Sequence, residues 1–88
     1  MPVLSQRNYQ RAEEILASDA WSPGEKVIVE WQCGMLAGFT RTLMEAIAKA
    51  DDKNLGRLAS GFPEEVVGFL AWSRGNLAQR LRDAGLDI

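Results

Sequence analysis

Apolar positions recur along the chain at helical spacing, and turn-forming residues divide them into five segments. Tyr9, Ala12, Ile15 and Leu16 share one face of a segment from about Ser5 to Ser18, while Glu13 and Glu14 lie to its side. Ser5 is the expected N-cap of that first helix. The stretch Ser22-Pro23-Gly24-Glu25 predicts the next start. The Ser22 hydroxyl is placed to accept from the Glu25 N–H, and the Glu25 carboxylate to accept from the Ser22 N–H. Pro23 occupies the first helical position, where a missing N–H costs nothing. Trp21, just before the cap, is positioned to staple onto Val27 or Ile28.

From Pro23 the helical pattern runs without a proline to about Ala50. Ile28, Trp31, Met35, Phe39, Leu43 and Ile47 form one stripe, widened by Val27, Leu36 and Met44. A helix over 23–50 would be roughly 40 Å long at ~1.5 Å per residue. A compact domain of this size has a radius of gyration near 12 Å and a diameter of about 31 Å. Such a helix must bend, protrude or run along a second subunit. Gly34 and Gly38 lie inside it, four residues apart, and each costs about 1 kcal/mol relative to alanine. Two causes fit: close approach of another helix at Gly34, Gly38 and neighbouring Trp31, or a kink.

Two short helices and one intermediate one complete the reading. Asp51 or Asp52 caps a third helix to about Ser60, carrying Leu55, Leu58 and Ala59 inward, with Gly61 as the stop at C′. Pro63, followed by Glu64 and Glu65, opens a fourth, which carries Val66, Val67, Phe69 and Leu70 before Trp72. Ser73-Arg74-Gly75 breaks the chain. Asn76-x-x-Gln79 is a variant capping box for the last helix, which ends near Ala84 with Gly85 at C′ and Leu86 folding back toward Leu81. The expected architecture is all-α: one domain over 1–88, a small helical bundle with a long central helix at about 23–50 and four shorter ones, compatible with an intertwined or helix-packed homodimer.

Composition narrows the chemistry. The 88 residues contain no histidine and one cysteine, with ten Lys+Arg against twelve Asp+Glu and a net charge of −2. Without imidazole there is no triad and no zinc site of the usual Cys/His kind. The pairs Glu13-Glu14, Asp51-Asp52 and Glu64-Glu65 point about 100° apart within a helix and cannot converge on one substrate atom. Cys33 has no base beside it and reads as a small apolar residue. Glu30 reads as an ion-pair partner for Lys26 or Arg41. The glycines match no phosphate-binding pattern. No catalytic, cofactor or metal residues are expected. The longest apolar stretch, 27–39, is interrupted by Glu30 and Gln32, and the N-terminus lacks a signal-type apolar run; a cytoplasmic protein with no membrane role is the expectation.

Two surfaces could carry function. Trp72 sits at a helix end near Arg74, where it can staple neighbouring elements into the core or face a partner, since tryptophan and arginine dominate interface hot spots. Arg74, Arg80 and Arg82 cluster in the last third. The run from Gly75 to Leu86 is similar to the recognition-helix end of helix-turn-helix proteins, which implies arginines meeting phosphates or guanines in the major groove. Residues 19–26, 58–66 and 76–82 together look like small helical proteins of phages and prophages with no assigned activity. That resemblance implies a mobile-element setting. The function expected is non-enzymatic: binding of another protein, in such a setting a host defence protein to be inhibited, with Trp72, Arg74, Arg80 and Arg82 as interface. The alternative is a DNA-binding regulator that uses 76–84.

Overall fold

The computed structural model describes residues 6–88, which form six helices and no strand: α1 (Gln6–Ala17), α2 (Pro23–Gln32), α3 (Gly38–Lys49), α4 (Asp52–Gly61), α5 (Pro63–Ser73) and α6 (Leu77–Asp83). The expected Ser5 cap lies outside the described residues. None of the six helices is long and apolar enough to cross a membrane.

The capping box forms as expected. Glu25 N donates to Ser22 Oγ at 3.1 Å, and Ser22 N donates to Glu25 Oε1 at 2.8 Å. Asp51 is the cap of α4, its Oδ1 accepting from Asn54 N at 2.8 Å. Gly85 adopts φ 105°, Leu86 N donates to Leu81 O at 3.1 Å and Gly85 N to Arg82 O at 3.0 Å, which is the Schellman closure expected of α6. Two expected signals do not operate. Asn76 makes no side-chain cap bond, and Gly61 is the last residue of α4 rather than a left-handed stop; Phe62, at φ −134°, ends the helix.

The long central helix over 23–50 is not present. The chain leaves α2 at Gln32 and re-enters a helix at Gly38. Gly34 adopts φ 68°, Met35 N donates to Glu30 O at 2.8 Å, and Gly34 N donates to Trp31 O at 3.2 Å. These two bonds are again a Schellman closure, with Gly34 at C′. Gly38 also adopts a positive φ of 60°, where the chain turns into α3. The two glycines are hinges of a corner rather than a notch in a continuous helix. Each of the two longest helices, α1 and α3, has 12 residues, about 18 Å. The described residues span 38 × 26 × 20 Å, with a radius of gyration of 12.8 Å. No helix exceeds the body it belongs to, so the length argument for a second subunit falls away.

α5 is the organising helix: α2, α3, α4 and α6 all pack on it, and α1 packs on α2. The tightest crossing is α2 on α5, where a side chain on Gly24 would run into the Glu64 carbonyl, and one on Gly68 into the Gly24 carbonyl. The core joins Ala12 and Ile15 of α1, Ile28 and Val29 of α2, Leu43, Met44 and Ile47 of α3, Leu55, Val66, Leu77, Leu81 and Leu86, with Cys33. Most of the predicted apolar stripe is therefore inside. Three of the predicted apolar positions are not: Tyr9 is 46%, Phe39 68% and Val67 64% exposed. Tyr9 and Phe39 lie on helices whose inward face is already filled by neighbours one turn away.

The buried Asn8 was not foreseen. Its Nδ2 donates to Asp87 O and its Oδ1 accepts from Asp87 N, both at 2.8 Å, tying α1 to the segment after α6.

Candidate functional site

The four residues expected to form a partner surface each make a contact within the fold. Trp72 is partly buried and packs on the core. Arg74 Nη2 reaches Asp52 Oδ1 at 3.4 Å. Arg80 Nη1 binds Glu25 Oε2 at 2.6 Å while its guanidinium lies 5.1 Å from the Trp21 ring centre. Arg82 Nε donates to Ile88 O at 2.8 Å. Each arginine thus serves a different contact inside the chain. α6, the helix that would enter a groove of DNA, has seven residues.

The self-association group sits around the corner between α2 and α3. Trp31 is half-buried, its ring 6.2 Å from that of Phe69 and tilted by 46°. Gly34 and Gly38 are exposed, and a Cβ on Gly38 would meet nothing within 4 Å. Within the chain, no other helix closes on Gly38. The glycines that admit a neighbouring helix are Gly24 and Gly68, which sequence reasoning passed over because each sits inside a short helix without a partner at fixed spacing.

Groups with reactive potential are quiet. Cys33 is buried, and burial pushes its thiol pKa up, away from the thiolate form. Glu30 forms none of the four ion pairs among the described residues, and Arg41 pairs instead with Glu45 at 3.4 Å. Among those residues no three of His, Cys, Asp and Glu come together in a way that could hold a metal ion.

What the fold does present is the α3–α4 hairpin. Only Ala50 and Asp51 connect the two helices. At the opposite end Phe39, from the start of α3, meets Phe62, from the end of α4, at 5.8 Å between ring centres and 48° between planes. In between, the two helices do not pack closely on each other; both rest on α5. The result is a groove of about 390 Å³ lined by Ala46, Lys49 and Ala50 on one side and Asn54, Arg57 and Leu58 on the other. A second, smaller apolar depression of about 220 Å³ lies where α2 and α5 begin, between Pro23, Pro63 and Val67. Val67 is 64% exposed.

Phe39 was visible in the sequence only as a member of the apolar stripe. Its exposure follows from the break at Gly34, which no continuous-helix pattern contains. The chain matches no protein family, no curated protein and no solved structure.

Proposed function

We propose that this chain acts by binding another protein, without catalysis, through the exposed face of the α3–α4 hairpin. The observation that carries the reading is Phe39. It is a large aromatic side chain left 68% in water, yet held in place by its contact with Phe62. Aromatic rings supply much apolar area for little conformational cost, and they are enriched at protein interfaces. An exposed ring propped at a tilt against a second ring, on the same hairpin as an open groove, is suited to insertion into a partner.

The intramolecular contacts of Arg74, Arg80 and Arg82 bear equally on the DNA-binding alternative and on the protein interface the sequence suggests for them, and the proposal rests on the α3–α4 face instead. A homodimer built on Gly34 and Gly38 does not form part of the proposal, because those glycines shape a corner instead of a contact face. The mobile-element setting, with inhibition of a host defence protein as its concrete form, rests on the sequence resemblance alone.

The test is capture of partners from a lysate by the tagged full chain, compared with Phe39→Ser. The variant is expected to keep the wild-type melting temperature, since Phe39 is exposed, and to lose a specific captured protein identified by mass spectrometry. Identical capture by both forms would remove the reading.

A further inference from the structure

The α3–α4 groove has a charge pattern that selects among possible occupants. Segment 41–58 carries four cations and three acids, on a chain whose net charge is −2. All three acids have partners, two of them outside the groove and the third, Asp51, on the backbone of the groove residue Asn54. Glu45 holds Arg41, Asp52 holds Arg74, and Asp51 caps Asn54 N. The two cations that line the groove, Lys49 and Arg57, form no ion pair with any described residue. Lys53, one turn before Arg57 on α4, forms none either.

Apart from Asn54, the groove walls between these cations are apolar. Leu58 and Ala50 are half-buried and pack on the core, and Ala46 lies one turn before Ala50 on α3. The volume of about 390 Å³ suits a few side chains, not a helix backbone. Ala46 and Ala50 leave room where a larger residue would close the gap.

From this we infer that the groove receives an acidic, amphipathic segment of a partner protein: small or leucine-type side chains enter between Ala46, Ala50 and Leu58, and flanking carboxylates meet Lys49 and Arg57. The inference rests on the protein-binding reading above and adds the chemistry of the partner. Arginine forks carboxylates in a bidentate way, and lysine adds a point charge. Cations on a solvated rim mainly set orientation and partner choice.

The experiment uses the full chain and a defined probe. The probe is a fluorescein-labelled amphipathic peptide with leucine and alanine on one face and glutamates beside them; its twins carry glutamine or lysine in place of glutamate. Fluorescence anisotropy is expected to show the glutamate peptide binding about tenfold tighter than the glutamine twin. That difference should shrink as the screening length falls from ~10 Å at 0.1 M salt to ~3 Å at 1 M. Amide shifts in 15N spectra should centre on Ala46, Lys49, Asn54 and Arg57. Lys49→Glu with Arg57→Glu should reverse the preference toward the lysine twin. Lys49→Gln with Arg57→Gln, a gentler change for the last turn of α3, should abolish it.

Equal affinity for the glutamate and glutamine peptides overturns the inference, as does binding whose shifts fall outside the groove. A sedimentation mass that doubles and depends on Lys49 and Arg57 also overturns it, because the occupant would then be a second copy. The two proposals separate cleanly. If Phe39→Ser abolishes partner capture while the charge-reversed chain still captures and does not discriminate the peptides, the groove inference is lost and the protein-binding reading stands. If the peptide preferences follow Lys49 and Arg57 while capture ignores Phe39, the opposite holds.

Discussion

Gly24 and Gly68 meet backbone to backbone where α2 crosses α5. The direction a side chain would take from Gly68 leads into the Gly24 carbonyl, with the Gly24 carbonyl carbon 2.8 Å and its Cα 3.2 Å from the position of a methyl. Helices usually pack at 8–10 Å between axes, the distance being set by the side chains at the contact. Two hydrogens at this contact let α2 and α5 come closer, and the core residues Ile28, Val29 and Val66 are seated by that approach.

Substituting either glycine with alanine therefore reverses the ordinary helix rule. In an open helical position the change would gain about 0.4–1 kcal/mol. At Gly24 or Gly68 the obstacle is backbone, which cannot rotate away, and a loss of about 1–3 kcal/mol or more is expected. Gly56 provides the internal control, since it lies within α4 and a Cβ there meets nothing within 4 Å. Urea titrations should show lower midpoints for Gly24→Ala and Gly68→Ala and a raised one for Gly56→Ala. A raised midpoint at Gly68 would show that the crossing has slack the geometry does not reveal.

The corner between α2 and α3 makes a second prediction. Gly34 and Gly38 have φ of 68° and 60°, a region that costs other L-residues roughly 1–2 kcal/mol. Gly34→Ala and Gly38→Ala should each destabilise by about 1 kcal/mol, with asparagine milder than alanine because it tolerates this region. The molecular mass in solution should not change, because neither glycine is an intersubunit notch in this reading. A mass shift accompanying either substitution would restore the helix-contact role that the sequence suggests for them.

These two pairs of glycines also show how far the sequence could be read. Helix starts were legible where a side chain does the capping, as at Ser22 and Glu25, because the chemistry is local and directional. The end of α2 was not. The same Gly34 fits a kink, a notch or a C′ stop, and only the bond from Met35 N to Glu30 O decides among them. An unbroken apolar stripe across that point hid the corner, since Met35 and Phe39 keep helical spacing with residues they no longer share a helix with. The groove was illegible for a further reason. It depends on α3 and α4 both resting on α5 and not on each other, a tertiary relation with no periodic signature. The arginines of the last third each serve a different contact, and two of the partners lie far off in sequence: Asp52 for Arg74 at 3.4 Å and Glu25 for Arg80 at 2.6 Å.

That last pair should govern stability in acid. Glu25 is shifted below its ordinary range. Burial alone would raise its pKa, but the Ser22 N–H and the Arg80 guanidinium favour the carboxylate and outweigh it. A carboxylate depressed on folding contributes stability that is full above the unfolded value of about 4.3 and is lost as pH falls through the lower folded value. Glu25→Gln should lower stability by about 1 kcal/mol at pH 7 and flatten the decline below about pH 4.3. Arg80→Ala should reduce the same acid dependence and add a loss of about 0.5–1 kcal/mol from uncovering Trp21. Thermal melts across pH 2.5–7 (on the order of eight points) suffice to compare the slopes. A wild-type and a Glu25→Gln slope that coincide would remove Glu25 from the acid response.

Asn8 makes a prediction about order, not only about free energy. Its amide reads both the N–H and the carbonyl of Asp87, each at 2.8 Å, and is the one buried polar or charged side chain among the described residues. Asp87 is exposed, so water can replace both bonds at its end when Asn8 is truncated. The net cost of Asn8→Ala should therefore be moderate, about 1–2 kcal/mol for two bonds. Asn8→Asp keeps the acceptor for Asp87 N but loses the donor to Asp87 O, and it brings a second negative charge next to the Asp87 residue. It should cost at least as much as alanine at pH 7 and recover in acid, where a protonated carboxyl again donates. The local readout is hydrogen exchange. In Asn8→Ala the Asp87 amide should exchange at least tenfold faster, while Leu81 and Met44, deep in the core, follow only the change in global stability. Uniform acceleration at all three amides would mean that the Asn8 clasp is part of the global unfolding unit and not a local tether between α1 and the segment that follows α6.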